Sequence, residues 1–196
     1  MSFVEVNRGL VTVRQEFLAN NLNQTVGEGA PDKELHVRLF RESDSLEVCS
    51  WVPTTTALQL VSGDKSDRLT PEILRGWTTK AETSLVVYQH PTHQPVGFCT
   101  VSRMELPYLP ATYIELCHLV VDPRWRYLFI GSRLYRAVRS AACTLGYYFV
   151  CARIVPTNRY ALALARFLRA EEFTGTEVWA PSGFRWFRLD ISLDND

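Results

Sequence analysis

Hydrophobic and polar positions alternate in short β-rich runs, interrupted by segments with helical spacing. Leu35 to Phe40, LHVRLF, alternates and predicts a first strand. Ser84 to Tyr88 and Val96 to Arg103 flank the turn QHPTHQ and predict a hairpin. Tyr113 to Val121 is a β-rich run closed by Asp122-Pro123, and it predicts a buried central strand. After it, Leu134, Val138, Ala141, Ala142 and Leu145 recur on one helical face, with Arg133, Arg136 and Arg139 on the others. Gly146 ends that helix. Tyr147 to Val155 predicts a strand. Asn158 to Glu172 predicts a helix with Ala161, Leu164, Ala165 and Leu168 on one side.

Thr176 to Ala180 and Phe184 to Ile191 predict a closing hairpin about Pro181-Ser182-Gly183. Between the first strand and the hairpin the signals are weaker. Glu42 to Cys49 predicts a short helix. Trp51 to Leu60, with Pro53 and three threonines, predicts irregular or briefly helical chain. Thr70-Pro71-Glu72 starts a helix, with Thr70 as N-cap and Pro71 in the first turn. Glu105 to Ala111 predicts a stiff loop around Pro107 and Pro110. The resulting order is β, helical segment, β, β, β, α, β, α, β, β. It predicts an α+β, or mixed α/β, domain: one mostly antiparallel sheet flanked by helices.

Ahead of this domain, Phe3 to Val13 alternates weakly and a polar stretch follows, ended by the turn residues Gly27 to Asp32. Residues 1–34 are expected to be an extension packing on the domain or on a neighbouring chain. Residues 35–196 are expected to be a single domain.

Composition narrows the function. The chain has 196 residues, 46% hydrophobic and 21% charged, which suits one globular domain with a real core. Formal net charge is +0, which argues against nucleic-acid binding by bulk charge. Arg124, Arg126, Arg133, Arg136 and Arg139 are nonetheless crowded into one segment. They read either as a solvated helix face or as attraction for a small polyanion. Cysteines at 49, 99, 117, 143 and 151 are odd in number and lack metal-ligand spacing, which suits a reducing, cytoplasmic location. No basic start with an apolar core, and no long uncharged apolar run, suggests a leader or a membrane span.

The stretch LVVDPRWRYLFIGSRL between the central strand and helix puts Gly131 and Ser132 at a helix start. Free N–H groups and the helix dipole favour an anion there, most simply a phosphate. This stretch resembles the central motif of the GNAT superfamily of acetyl-CoA-dependent N-acetyltransferases. Arg126 takes the motif's Arg/Gln place, Gly131 its last place, and Phe129 stands where the family has its first Gly. The resemblance, covering roughly residues 35–191, implies six to seven strands with a splay between the fourth and fifth.

It further implies that amides of Arg126, Tyr127, Leu128, Phe129, Ile130, Gly131 and Ser132 hold the pyrophosphate of coenzyme A. Leu119, Val120 and Val121 would be the splayed segment that receives the thioester. VPTNRYALALARFLRAEEF resembles the family's later motif, which implies that Asn158 helps hold the pantetheine arm. Glu172-Phe173 replaces the motif's Gly-Phe. The Tyr that protonates the departing thiolate in the family falls on Leu168 or Ala165, depending on the direction of counting.

Glu115 lies in an otherwise apolar strand, so it must be paired, protonated or facing a cavity. It is read either as the general base for the amine, as the resemblance implies, or as a Glu at the sheet's exposed edge or in a structural ion pair. His118, placed by strand alternation on the opposite face from Glu115, reads either as a second candidate base or, as a lone strand histidine more often is, as a satisfied structural residue. Tyr160, Tyr147 and Tyr148 either supply a hydroxyl near the thiol or serve as packing residues, and Tyr160 is the one assigned to catalysis because it follows Asn158. Trp51, Trp77, Trp125, Trp179 and Trp186 either line an acceptor pocket or pack the core.

His90 and His93 flank a turn and lack a third metal ligand, so no metal is expected. The expected activity is acetyl transfer from acetyl-CoA to a primary amine of a small molecule or peptide, by a monomer or homodimer, without nucleic acid or membrane. The alternatives are a non-catalytic coenzyme-binding module and an acyltransferase that takes its donor from acyl carrier protein.

Overall fold

A computed structural model describes residues 35–103, 113–144, 146–172 and 183–191. The expected N-terminal extension, the loop at 105–111 and the strand at 176–180 lie outside them. The elements are β1 (Leu35–Leu39), α1 (Ser45–Ser50), α2 (Thr55–Ser62), α3 (Pro71–Lys80), β2 (Thr83–Gln89), β3 (Gln94–Arg103), β4 (Tyr113–Val121), α4 (Ile130–Thr144), β5 (Phe149–Ile154), α5 (Arg159–Phe167), β6 (Glu171–Glu172) and β7 (Arg185–Asp190). Short 3-10 turns precede α1 at Glu42–Asp44 and follow β4 at Pro123–Trp125. The mixed α/β class and the element order are as expected.

Among the described residues, seven strands form one sheet in the order β1-β2-β3-β4-β5-β7-β6. Neighbours are antiparallel except β4 and β5, which run parallel. Each face has its own core. One packs α4 through Leu134 and Val138 against Leu85, Val87, Ile114, Leu116 and Val150. The other packs α1, α2 and α3 through Val48, Leu58 and Leu74 against Val86, Phe98 and Val120. Leu162 and Ala165 of α5 rest on Ile154 and Phe187, on the α4 side. Among the described residues, no helix is long and apolar enough to cross a membrane.

Two segments depart from the sequence pattern. Thr55–Ser62 is a full helix, because Thr54 caps it by accepting from the Ala57 amide at 3.2 Å and Leu58 anchors it in the core. The later helix stops at Phe167, short of Glu172. Arg169 turns to φ +56 there, and Glu171 and Glu172 pair as β6 with Arg188 and Phe187. Carboxylates meet arginines across that strand pair: Glu171 with Arg188 at 2.6 Å, and Glu172 with Arg185.

The start of α4 is fixed by a close approach to the sheet. Gly97 of β3 sits under Ile130, and a Cβ added there would lie 2.5 Å from Ile130 Cγ2. Only a residue without a side chain lets α4 begin at that height. Gly97→Ala is therefore expected to cost about 1–3 kcal/mol in urea unfolding. Adding Ile130→Val, which does not remove Cγ2, should recover less than adding Ile130→Ala. Full stability in the single variant would show that the contact does not set the helix.

Candidate functional site

The site begins where β4 leaves β5. Among the described residues the two strands pair over three positions, Tyr113↔Phe149, Ile114↔Val150 and Glu115↔Cys151. β4 stays on β3 as far as Val121, and β5 stays on β7 as far as Ile154. Each strand thus follows its outer neighbour, and the pair opens into a wedge. A bulge accompanies the opening. The β3/β4 register shifts between Phe98 and Thr100, and His118 takes φ +49.

Beyond the wedge the chain makes a stiff turn. Asp122 is buried and accepts from the Arg124 amide at 2.9 Å and from its guanidinium at 2.6 Å. Burial alone would raise the Asp122 carboxyl, but these bonds and the arginine charge outweigh it and hold the group below its ordinary value. Trp125 is buried in the α4 core, so the chain is pinned on both sides of the exposed loop. Tyr127 and Phe129 adopt φ +65 and +57.

Phe129 thereby takes the N-cap place of α4, where its carbonyl accepts from the Arg133 amide at 3.0 Å and from Ser132 Oγ at 2.8 Å. The amides of Ile130, Gly131 and Ser132 have no carbonyl one turn back, and a phenylalanine cap has no side-chain oxygen to offer them. They are oriented for an anion. The Phe129 ring is 65% exposed and leans on Phe167 of α5 at 5.8 Å.

α5 closes the other side. Asn158 caps it, accepting from the Ala161 amide at 3.0 Å. Its Nδ2 donates to the Leu60 carbonyl at 2.9 Å. That carbonyl belongs to the last turn of α2, on the opposite face of the sheet, so one side chain serves two helix ends across the wedge. Tyr160, 56% exposed, sits beneath the Arg126 guanidinium at 5.2 Å and beside the Tyr127 ring at 6.2 Å.

A cleft of about 690 Å³ runs between α2, the end of β4, the loop and α5. Leu119, Val120, Val121, Arg126, Tyr127, Phe129, Ile130, Gly131, Ser132, Asn158 and Tyr160 all line it. Leu128 is exposed outside it. Trp51 and Trp125 line it as well, whereas Trp179 lies outside the described residues.

Across the wedge lies a polar group. Glu115 is buried and forms a two-point pair with Arg153 of β5, its Oε2 accepting from Nη2 at 3.1 Å and its Oε1 from Nε. Arg153 also lies over the Trp186 ring at 5.4 Å. His118 stacks on Trp77 of α3 at 4.1 Å and shares a 2.7 Å hydrogen bond between Nδ1 and the Thr100 hydroxyl. Strand alternation put His118 on the face away from Glu115. The bulge adds a residue and cancels the alternation, so both face the α3 side.

Burial first, and the Arg153 charge second, push His118 down to about 4. Burial likewise pushes the Cys117 thiol up to about 12, which leaves it unreactive. Tyr147 is buried and Tyr148 exposed, and neither lines the cleft. Of the crowded arginines, Arg124 is bound to Asp122 and Glu47, and Arg139 reaches the Ile191 carbonyl at 3.3 Å.

Sequence reasoning missed Arg153, and it offered Trp77 only as one of five tryptophans that line an acceptor pocket or pack the core. A buried Glu does demand a cation, but nothing in the sequence says which of the arginines supplies it.

Residues 50–168 match the model of the acetyltransferase (GNAT) family. No curated protein sequence matches the chain. Among solved structures, an N-acetyltransferase from Staphylococcus aureus is 18% identical, with a TM-score of 0.61 over 81% of this chain and 99% of that one. The GNAT domain of S. lividans PAT is 13% identical, with a TM-score of 0.63 over 80% and 90%. The yncA protein of Salmonella typhimurium, solved with its cofactor acetyl-CoA, is 14% identical, with a TM-score of 0.60 over 83% and 96%. At these identities the likeness is one of fold.

His118 and Phe129 each carry a measurable consequence. The fold favours the neutral imidazole, lowering it from 6.5 to about 4. Its contribution is complete above about pH 6.5 and is lost as pH falls toward 4, in all about 3 kcal/mol. Urea unfolding at pH 7 and pH 4.5 should show His118→Gln losing about 2 kcal/mol less than the wild type. Equal losses would mean that the ring is not sheltered. At Phe129 the left-handed backbone costs about 1 kcal/mol or more for a residue with a side chain. Phe129→Gly should raise the unfolding midpoint and Phe129→Val should lower it. The reverse order would remove the strain.

Proposed function

The chain belongs to the GNAT acetyltransferase family, and on that premise we propose that it transfers an acetyl or other short acyl group from acyl-coenzyme A to a primary amine. The observation that carries this is the cleft joining the amides at the start of α4 to the wedge between β4 and β5. The loop would hold the diphosphate by main-chain amides and by the charge of Arg126. Leu119, Val120 and Val121 would offer main-chain groups to the pantetheine and the thioester carbonyl, as an added strand does.

The acceptor amine approaches from the α3 side, between Trp77 and the Glu115–Arg153 pair. Its nitrogen bonds to the carbonyl carbon, the carbon–sulfur bond breaks, and coenzyme A leaves as a thiolate that takes up a proton. Glu115 would receive the ammonium proton through water while Arg153 holds the carboxylate in place. His118 is too weak a base for that task at neutral pH. The position of Tyr160 beside Arg126 and Tyr127 supports a part in holding the nucleotide end of the cofactor over proton donation to the thiolate. Five free cysteines support a reducing, cytoplasmic setting.

The first test is the melting temperature with acetyl-CoA. A ligand at a hundred times its Kd adds about 2.7 kcal/mol of stability. No shift with any acyl-CoA, but a shift with loaded acyl carrier protein, would move the donor to the carrier. The second test is Glu115→Gln combined with Arg153→Gln, which removes both charges and strands neither. Turnover across an amine panel should fall about a hundredfold at neutral pH, with coenzyme A affinity kept. Unchanged turnover would leave the pair a structural one.

A further inference from the structure

We infer, on the acyltransferase reading above, that the donor site is built for an acyl chain about two carbons longer than acetyl. Behind the cofactor cleft lies a second cavity of about 80 Å³, inside the wedge. Leu60, Val61, Leu119, Asn158, Ala161 and Leu164 line both spaces, so the two adjoin along one wall. The cavity is lined by both diverging strands, by Leu116 and Leu119 of β4 and by Val150, Ala152 and Ile154 of β5.

Its walls are mostly apolar and partly of small residues: Leu116, Val150 and Ala152 from the sheet, and Ala165 and Ala170 from α5 and the chain just after it. Its polar side chains are Arg153, Asn158, His118 and Tyr135; Arg153 is engaged with Glu115, Asn158 with Leu60 and Ala161, and His118 with Thr100. Leu164 belongs to the wall that cavity and cleft share. It stands 3.1 Å from where a Cβ on Gly131 would lie, so the glycine lets α5 approach the loop this closely. An apolar hollow of about 150 Å³ holds benzene, so about 80 Å³ takes roughly three carbons. An acetyl methyl would leave most of it unfilled. The transfer step is unchanged: the same carbon–sulfur bond breaks and the same amide bond forms.

Isothermal titration of the full chain with coenzyme A, acetyl-CoA and butyryl-CoA tests this. Each buried methylene is worth about fourfold in affinity, so butyryl-CoA, with two more, should bind about fifteenfold more tightly than acetyl-CoA. If acetyl-CoA binds as tightly or more so, the chain-length inference is overturned and the family reading stands. If coenzyme A itself does not bind, the cofactor reading fails. Ala165→Leu lines only the inner cavity, so it should abolish the butyryl advantage and leave coenzyme A affinity unchanged. An advantage that survives the substitution overturns the inference. Ala152→Val fills the same space with a residue suited to a strand, and it decides the matter should the leucine variant fail to fold.

Discussion

Everything that makes a site in this protein follows from one refusal: β4 and β5 stop sharing hydrogen bonds after Glu115 and Cys151. A strand pair that ends inside a sheet leaves main-chain donors and acceptors facing a gap, which is costly unless something else occupies them. The outer neighbours make the separation tolerable. β3 holds β4 through its bulge, and β7 holds β5 along its whole length. The same bulge turns His118 toward Trp77 and brings it to the side of Glu115. One inserted residue therefore shapes both the wedge and the surface on which an acceptor would rest.

Three side chains keep the gap from collapsing or drifting. Asn158 ties α5 to α2 through it. Ile130, seated on Gly97, sets the height at which α4 begins. Asp122, bound by Arg124, fixes the direction in which the chain leaves β4. With those three constraints the loop between Trp125 and Ser132 has little freedom left. Its two left-handed residues, Tyr127 and Phe129, are held there by the anchors on either side and not by their own preference.

The fold was largely legible in the sequence, because hydrophobic spacing governs long elements and those elements carry the core. Tyr113 to Val121 and the face through Leu134 and Val138 needed only periodicity. α2 was obscured by its threonines, one of which is a cap and not a breaker. Glu171 and Glu172 were obscured because a two-residue strand has no pattern of its own, and its pairing with Arg185–Asp190 is a tertiary fact. The loop motif was visible at the site, and Asn158 with it. Arg153 was not, since partners 38 residues apart are joined only by strand order. The side on which His118 faces was misjudged for a related reason: period-two reasoning assumes an unbroken ladder.

The seven strands amount to two plates, β1 to β4 and β5 to β7, riveted along a single seam of three rungs. Such a seam resists sliding far better than it resists opening. Asn158, which ties α5 to α2 across the gap, is then a second brace on the angle between the plates. Whatever lodges between them shares the mechanical load that a continuous ladder would bear, so the width of the guest and the set of the hinge are read by one and the same element.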